Sequence, residues 1–585
     1  MSSGYSSTPT DSYNSSIADL TKMDSSTTDD DNADEQRMCG LSDLVTSCLS
    51  STKSSRYQNN SAKIFDSVTD VQSSASNTLC NTSKKSSSSS PFLKSSQFAN
   101  VPPTIRFYIK GTKVTKPNRR IMNRLTWCHN SLLPVVMRQT LSASHFTIVD
   151  ESLFHVGYWG RHLKSAQYRA LKPHQKVNHF PGAFHVGRKD RLWMHISKKQ
   201  ERFGDEFNIM PFTYILPQDR HELLMYLEED ARRHVIIKPP ASARGTGIQV
   251  TRKPKDFPPT STLVAQHYID RPLTINRAKF DLRLYACVTT FEPLKIFLYE
   301  QGLVRFASVA YDNSASSISN RYMHLTNYSI NKLAEKDGVA EQPVPKWTLT
   351  HLWEYFTEKG ISCERIQQQI EDIIIKAFIS CEKPIRDHMG RFLEQEFICY
   401  ELFGIDIILD ESLKPWLLEV NISPSLHSGT PLDVSVKAPL AKDVLNLVGI
   451  HIPPSVCKLE AADYRTRPKN GPKSKDQVTK EASWIAAYVE QSGSVDNRIL
   501  KRLTPEDVRV LVEVEDELER MGDFKLIFPT ATTSLYQRFF SEPLYMNIML
   551  QQWQVSQKED RTLGIQRLEQ LCRHKHHTSD YIDEC

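Results

Sequence analysis

Residues 404–421 decide the fold of this 585-residue chain, and they read Gly404-Ile405-Asp406-Ile407-Ile408-Leu409-Asp410-Glu411-Ser412-Leu413-Lys414-Pro415-Trp416-Leu417-Leu418-Glu419-Val420-Asn421. Two apolar runs flank a polar turn at Asp410–Lys414, a pattern that predicts a β-hairpin. With the turn centred near Ser412–Leu413, Asp406 lies directly opposite Glu419. Because side chains two residues apart share one face of a strand, Asn421 joins these two acids.

The polar face of this hairpin predicts a metal site. Buried acids are costly unless they are paired or bound to metal. Asp406, Glu419 and Asn421 offer hard oxygen ligands, the donors that suit Mg²⁺ carrying the phosphates of a nucleotide. The alternative is an edge hairpin whose acids face water. The apolar residues on the opposite face favour the metal site.

The composition is that of an ordinary soluble protein, with 24% charged and 39% hydrophobic residues. The net charge of +5 weakly favours an acidic partner. No apolar stretch reaches membrane-spanning length and the start, Met1–Tyr5, lacks a secretion signal, so we expect no membrane insertion. The 11 cysteines include no Cys-x-x-Cys pair, which predicts reduced thiols in the cytoplasm and no structural zinc.

The chain divides into five segments. Residues 1–100 are rich in Ser, Thr, Asn and Asp and are predicted to be disordered, because they cannot bury enough apolar surface to offset the entropy of ordering. Residues 101–455 mix apolar strands with helical stretches, which predicts an α+β core. Residues 456–476 are predicted as a basic linker, 477–575 as a helical appendage and 576–585 as a tail. The main core candidates are the strands Val235–Ile237, Leu263–Ile269 and Phe280–Thr289 and the helix Cys363–Ile379.

One helix of the appendage has clear start and stop signals. Thr504 is a good N-cap, Pro505 suits the first helical position, and acids follow in the first turn. Apolar residues then recur at helical spacing until Gly522, which is predicted to end the helix.

A candidate nucleotide site begins at the strand Val235–Lys238. A glycine-containing loop, Ala241-Ser242-Ala243-Arg244-Gly245-Thr246-Gly247, separates it from a second strand, Ile248–Val250. Backbone N–H groups of such a loop cradle phosphates, and Lys238 balances their charge. It is neither a Walker A loop nor part of a kinase motif set. A strand–loop–strand flap combined with a carboxylate hairpin is the ATP-grasp arrangement, whereas the loop alone is also compatible with an ordinary hairpin turn.

Three further stretches are candidates for the same site. Lys279-Phe280-Asp281-Leu282-Arg283-Leu284-Tyr285 alternates strictly, so its charged residues share one face, which is either a site or a solvated strand face. Leu263–Ile269 is predicted as a buried strand that could give adenine a backbone edge, although the pattern alone favours simple core packing. His324–Ser329 is predicted as a polar loop.

Together these motifs resemble the tubulin–tyrosine-ligase-like family. The resemblance covers roughly Val101–Ile452, is most similar to the polyglutamylase branch, and extends to Leu503–Val508 and Ile527–Pro529. The matching motifs in chain order are Asn178-His179-Phe180-Pro181, Arg188-Lys189-Asp190, Lys238-Pro239-Pro240, Ser242-Ala243-Arg244-Gly245, Lys279–Arg283, His324–Ser329 and Leu418–Leu426.

The resemblance implies an ATP-grasp-like fold with N-terminal, central and C-terminal subdomains, and it implies roles for individual residues. It places Mg²⁺ on Asp406, Glu419 and Asn421 and makes Arg244, Arg283 and Glu419 catalytic. It assigns the incoming glutamate to Arg305, Tyr328, Ser329, Lys346 and Lys437. It assigns ATP to Lys238, Arg244, Gly245, Gln266, His267, Tyr268, Ile269, Lys279, Phe280, Asp281, Thr326 and Asn327.

The activity that the resemblance implies is ATP-dependent ligation of free L-glutamate to the γ-carboxylate of glutamates in tubulin tails, through an acyl phosphate. Expected partners are tubulin tails and microtubules, not nucleic acid or membrane, with the protein a monomer in the cytoplasm and cytoskeleton, the cilium or basal body included. The basic linker and the appendage are predicted to favour an acidic microtubule surface. Two alternatives stay open: a glycine or tyrosine ligase of the same family, and a non-catalytic microtubule-binding scaffold.

Overall fold

The computed structural model describes residues 89–150, 154–242, 245–312, 314, 317–339, 344–453, 473–491, 493 and 497–578. The predicted disorder of residues 1–88, the linker up to residue 472 and the tail from residue 579 therefore lie outside the described residues. The predicted boundary at residue 100, between the disordered segment and the core, is corrected, because Phe92 and Phe98 are buried in the core. These two aromatic residues anchor a segment whose serine-rich composition predicts disorder.

The N-terminal subdomain is built on a parallel sheet in the order β4-β3-β5-β6. The fully buried Trp127 of its β3 strand shares one core cluster with Met137 and Leu141 of the α2 helix. Its elements are β1 (Leu93–Lys94), β2 (Thr104–Ile105), α1 (Arg119–Met122), β3 (Thr126–Cys128), α2 (Val135–Ala143), β4 (Thr147–Val149), β5 (Gly157–Tyr158), α3 (Ser165–Arg169), β6 (Lys176–Val177), α4 (Phe184–Gly187) and α5 (Lys189–Phe203).

A small antiparallel sheet follows, in the order β7-β10-β8-β9. The predicted strand–loop–strand unit is confirmed, since Ile236 pairs with Val250 on the neighbouring strand. The predicted strand Leu263–Ile269 is two residues shorter. The elements are β7 (Thr213–Leu216), α6 (Arg220–Glu229), β8 (Val235–Lys238), β9 (Gln249–Thr251) and β10 (Leu263–His267).

The central sheet is organised around its longest strand, β12. Along one edge β12 pairs with β14 and then β13, and along the other edge it pairs with β16, which pairs in turn with β17. The elements of this region are β11 (Thr274–Ile275), β12 (Ala278–Phe291), β13 (Leu294–Tyr299), β14 (Leu303–Ala310), α7 (Arg321–His324), α8 (Tyr328–Lys336), β15 (Lys346–Thr348), α9 (Leu349–Glu358), α10 (Cys363–Phe392), β16 (Glu401–Leu409), β17 (Pro415–Asn421) and α11 (Pro431–Leu447).

The hairpin of β16 and β17 confirms the predicted pairing of Asp406 with Glu419. A register shift follows, because Ile407 pairs with Leu417, so Leu418 is the extra residue of a β-bulge. The centre of the turn therefore lies at Ser412, half a residue earlier in the chain than predicted. The bulge changes the direction of β17 at the point where it presents Glu419.

The long helix α10 packs across the central sheet in the main core. Ile366, Ile370 and Ile373 recur at helical spacing and are buried. The predicted helix ended at Ile379, but the structure continues it to Phe392, because Ile385 and Met389 extend the same buried face.

The C-terminal region is not the purely helical appendage that was predicted. Its strand β18 pairs with β13 and becomes an edge of the central sheet. The predicted helix start is confirmed, since the Thr504 hydroxyl accepts a hydrogen bond from the N–H of Asp507. Residues 576–578, predicted as tail, form a 3₁₀ turn in which His577 is buried. The elements are α12 (Lys475–Glu490), α13 (Pro505–Arg520), β18 (Phe524–Phe528), α14 (Tyr545–Ser556) and α15 (Thr562–Arg573).

A search of the described residues for a helix long and apolar enough to cross a membrane finds none.

Candidate active site

Three neighbouring strands of the central sheet align charged residues. In the register, Lys346 of β15 is opposite Arg305 of β14, and Arg305 is opposite Asp281 of β12. Arg305 donates from Nε and Nη2 to the two carboxylate oxygens of Asp281, both at 2.6 Å. A bidentate guanidinium–carboxylate pair is strong and directional, so this register fixes the orientation of Arg305.

The row continues on the other side of β12. Arg283 is opposite Asp406 and donates to its two oxygens at 2.6 and 3.0 Å, while Arg305 donates to the same carboxylate at 2.9 Å. Burial raises the pKa of Asp406, but the two guanidinium charges outweigh it and hold the pKa well below its usual range. Asp406 is therefore ionised at any physiological pH. The alternative of a solvated strand face is excluded for Asp281, which is 4% exposed.

The three predicted metal ligands lie together but have different partners. Both oxygens of Asp406 contact arginines. The side-chain amide nitrogen of Asn421 donates to the Gly404 carbonyl at 3.2 Å and to Glu419 at 3.3 Å, so the amide oxygen of Asn421 remains an acceptor. A divalent cation fits these donors through Glu419 and Asn421, with Asp406 adding an oxygen alongside its arginine contacts.

Gly404 is required by the close packing under this site. A Cβ atom there would lie 2.8 Å from the Pro424 side chain and 3.4 Å from that of Arg283. Residue 404 therefore needs to be glycine chiefly because Pro424 packs against it, and a larger residue would also press on the Arg283 side chain.

Lys189 is a member of the site that sequence reasoning did not assign. Its ammonium nitrogen lies 3.0 Å from Glu419 Oε2 and donates to the carbonyl of Ser242 at 3.1 Å. Lys189 thus joins the glycine-containing loop to the metal-ligand strand. The motif Arg188-Lys189-Asp190 was the available signal, but it gives no indication of which distant carboxylate the lysine meets.

Two buried lysines line the same site, Lys238 from β8 of the small sheet and Lys279 from β12 of the central sheet. Lys238 donates to the Gln266 side chain at 2.8 Å, and Lys279 donates to the Tyr268 hydroxyl at 3.1 Å. Burial lowers the pKa of Lys238 to about 8 and that of Lys279 to about 7. Both lysines lack a directly bound carboxylate among the described residues, which makes them suited to an anionic ligand.

A cleft of about 690 Å³ separates the small sheet from the central sheet. One wall comes from β8 and β10 and the other from β12, β14, β16 and β17. The predicted residues that line it are Lys238, Gln266, His267, Tyr268, Ile269, Lys279, Asp281, Arg305, Thr326, Asn327, Asp406 and Glu419.

The loop between β8 and β9 approaches the start of α8. A Cβ atom on Gly245 would lie 3.0 Å from the Asn327 side-chain oxygen, and Gly245 has a φ of +76°. Glycine is needed there for both the conformation and the approach. Thr326, next to Asn327, donates to Asp281. The predicted residue Arg244 lies outside the described residues.

Phe280 is the one predicted nucleotide-binding residue that the structure turns away from the cleft. Strand alternation puts its side chain opposite those of Lys279 and Asp281, in the main core at 1% exposure. Phe280 is not among the described residues that line the cleft, and its predicted part in holding ATP stays a prediction.

The candidate glutamate side is organised by Asp433, which sequence reasoning missed. Asp433 is 3% exposed and accepts hydrogen bonds from Lys437 at 2.9 Å and from Lys346 at 3.2 Å. Lys346 also lies 4.2 Å from the ring centroid of Tyr328. Ser329 follows Tyr328 in the first turn of α8. One buried carboxylate thus holds two of the predicted substrate lysines in place.

Residues 166–458 match the tubulin-tyrosine ligase family. The chain belongs to this family. It is 71% identical over 596 residues to the tubulin polyglutamylase ttll-4 of Caenorhabditis briggsae, and the alignment covers 99% of each chain. It is 42% identical over 501 residues to the tubulin monoglutamylase TTLL4 of Homo sapiens, covering 82% of this chain and 42% of that protein.

Proposed function

We propose that this chain is an ATP- and Mg²⁺-dependent ligase that joins glutamate to the γ-carboxylate of glutamate side chains in tubulin tails. The observation that carries the proposal is the single cleft in which two buried lysines face a carboxylate hairpin. The relatives named as tubulin polyglutamylase and tubulin monoglutamylase support the choice of tubulin and of glutamate.

In the proposed reaction the acceptor carboxylate attacks the γ-phosphorus of ATP, and the bond from that phosphorus to ADP breaks. The amine of glutamate then attacks the acyl carbon, phosphate leaves with the bonding electrons, and the amine loses a proton. The Mg²⁺ ion would supply charge neutralisation on the phosphates. Glu419 and Asn421 would hold that ion.

The chain's own residues position the reactants and offset charge. Lys238 from the small sheet and Lys279 from β12 of the central sheet would face the phosphates, and burial strengthens their electrostatic effect. Arg283 keeps Asp406 in place beside the transferred group. Arg244 is proposed as a further catalytic cation.

Arg305, Lys346 and Lys437 lie near one another, and three cations favour a substrate amino acid that carries an extra carboxylate. Arg305 uses Nε and Nη2 for Asp281 and Asp406, so Nη1 is the nitrogen left for substrate. Lys346 and Lys437 share Asp433. Glycine and tyrosine each bring one carboxylate fewer than glutamate to these three cations, and that disfavours the related glycine and tyrosine ligases.

We also propose that the protein works at microtubules in the cytoskeleton as a monomer. The basic linker at 456–476, with six Lys or Arg and three acids, favours an acidic surface. Removing everything after residue 455 is a poor test of this role, because β18 is an edge of the central sheet. Charge substitutions within the linker are the suitable variants.

The test is incubation of the purified protein with Mg-ATP, microtubules and isotope-labelled glutamate, glycine or tyrosine, followed by intact mass spectrometry of the tubulin. Glutamate increments are the expected result. Glycine or tyrosine increments would assign another ligase of the family. No increment on tubulin or on an acidic control protein would favour a non-catalytic scaffold.

A further inference from the structure

Residues 71–187 carry a large excess of positive charge. Residues 71–187 contain sixteen Lys or Arg but only two acids, Asp150 and Glu151. The whole chain has a net charge of +5, so the remainder of the protein is net negative. Such an uneven distribution of charge along one chain indicates a partner that binds to residues 71–187.

Six of these cations lie on one surface segment, residues 110–124, which we call the basic loop. All six are exposed, and none forms an ion pair with another residue in the described part of the chain. The cations around the cleft, in contrast, are mostly paired with acids. The six are Lys110, Lys113, Lys116, Arg119, Arg120 and Arg124.

The basic loop is held by backbone hydrogen bonds. Ser90 donates to the carbonyl of Lys113 at 2.9 Å, and Thr115 donates back to the carbonyl of Ser90 at 2.8 Å. The Asn118 side chain accepts from the N–H of Ile121 at 3.0 Å and caps the short α1 helix. Because its backbone is fixed, the loop presents its charges without a large entropic cost on binding.

The cationic surface extends beyond the basic loop. The Arg124 guanidinium lies 5.5 Å from the ring centroid of Phe154, which stacks on His174 at 5.1 Å. Lys172, two residues from His174, is exposed as well. Through these contacts a further exposed lysine, Lys172, lies near Arg124 at the end of the basic loop.

The subdomain that bears the basic loop is hydrogen-bonded to α11, the helix that carries the predicted glutamate-binding residue Lys437. Phe107 donates to the Asn446 side-chain oxygen at 2.9 Å, and the Asn446 amide donates to the Phe107 carbonyl at 3.1 Å. Asn446 belongs to α11, the helix that carries Asp433 and Lys437. A partner held on the basic loop is therefore held at a constant distance from the cleft.

We propose that the basic loop docks on an acidic protein surface beside the segment that is modified, and so holds the protein substrate while its acceptor tail occupies the cleft. The proposal rests on the proposed function, which makes an acidic polypeptide the substrate. Exposed unpaired cations give such a surface both a faster encounter and a defined orientation. An acidic protein is favoured over nucleic acid because the cleft already accepts an acidic chain from the same partner.

The test compares two triple charge reversals. In the first, Lys110, Lys113 and Lys116 are each changed to Glu; in the control, Lys198, Lys255 and Lys359, exposed cations on three separate elements, are each changed to Glu. Co-sedimentation with microtubules is measured over a range of salt concentrations. We expect the basic-loop variant to bind about tenfold more weakly at low salt and to lose most of its salt dependence, with the control near wild type.

A second measurement separates docking from catalysis. Glutamate transfer to a short tail peptide, which fills only the cleft, should be equal in both variants and wild type, whereas transfer to microtubules should fall through a higher KM. Equal microtubule binding by the two variants would overturn the proposal. If duplex DNA, added as a competitor, removes the difference in microtubule binding between the two variants, the surface would be assigned to nucleic acid instead. If the wild type transfers glutamate to no acceptor, the proposed function is wrong. The comparison of microtubule binding by the two variants then still tests the docking proposal by itself.

Discussion

The ammonium nitrogen of Lys189 lies 3.0 Å from Oε2 of Glu419, and this contact joins the first residue of α5 to β17. Lys189 also holds the carbonyl of Ser242 in the glycine-containing loop. One buried side chain therefore links the glycine-containing loop to β17. Its position makes it a third cation of the site, next to Lys238 and Lys279.

Replacing Lys189 with Met should lower turnover about tenfold to a hundredfold, because a hydrogen bond to a charged group contributes about 1.5–3 kcal/mol. Lys198→Met is the matched control, since Lys198 is an exposed lysine of the same helix. Steady-state glutamate transfer at saturating Mg-ATP measures the effect. Equal rates for the two variants would show that the contact has no part in the reaction.

Replacing Glu419 with Gln should abolish glutamate transfer while the fold is retained. The amide keeps the shape but loses the charge that a divalent cation needs. Transfer is followed by mass spectrometry and the fold by circular dichroism. Glu411→Gln, an exposed acid in the turn of the same hairpin, is the control. Turnover by Glu419→Gln at the wild-type rate would refute the metal assignment.

Replacing Asp433 with Asn should raise the KM for glutamate more than it lowers kcat. The carboxylate accepts from both Lys346 and Lys437, so its loss frees two lysines to move apart. We expect about a tenfold rise in KM, with the KM for ATP unchanged, since Asp433 lies on the glutamate side. A parallel rise in both constants would indicate general damage to the structure instead.

ATP affinity should fall as the pH rises from about 7 to about 9. Burial lowers the pKa of Lys279 to about 7 and of Lys238 to about 8, and bound phosphate would raise both, so binding takes up protons in this window. Calorimetry with a non-hydrolysable ATP analogue, in buffers of different ionisation enthalpy, counts those protons. The Lys279→Met variant should take up fewer. An affinity independent of pH would contradict the prediction.

The lowered pKa values of Lys238 and Lys279 also determine whether the free energy of unfolding rises or falls with pH. The folded pKa of each lysine lies below the unfolded value of 10.5, so the unfolded chain binds more protons between these values. The contribution of the two lysines to the free energy of unfolding of the unliganded protein therefore rises with pH above about 7. Lys279→Met should reduce this rise in urea titrations.

A buried ion pair should be important for stability at the junction between the central sheet and the C-terminal region. Lys295 and Glu517 lie 2.5 Å apart, at 1% and 2% side-chain exposure. Lys295→Met leaves Glu517 buried without its partner and should cost about 3–5 kcal/mol in the free energy of unfolding. Arg502→Met, which breaks the exposed pair with Asp476, should cost about 0–1 kcal/mol.

Urea denaturation of the single variants and of the double variant Lys295→Met/Glu517→Leu completes this test. The double variant should recover much of the lost stability, because it removes both charges. A double variant less stable than either single one would mean that the pair is net stabilising and that the expected desolvation penalty is wrong.

Local sequence was enough to predict the elements whose signals lie within a few residues of one another. The hairpin of β16 and β17, the opposition of Asp406 and Glu419, and the start of α13 at Thr504 all follow from alternation, turn residues and capping groups. These features depend on hydrogen bonds between near neighbours in the chain, and residue type alone decides them.

Tertiary structure alone decided which charges meet. Lys189 reaches Glu419, Arg305 lies between Asp281 and Asp406, and β18 joins the central sheet only because distant strands and helices pack in one register. The bulge at Leu418 follows from that register as well. Sequence patterns specify which residues share a face, but the partner across a buried face is set by packing of the whole core, where each buried charge must find its counter-charge.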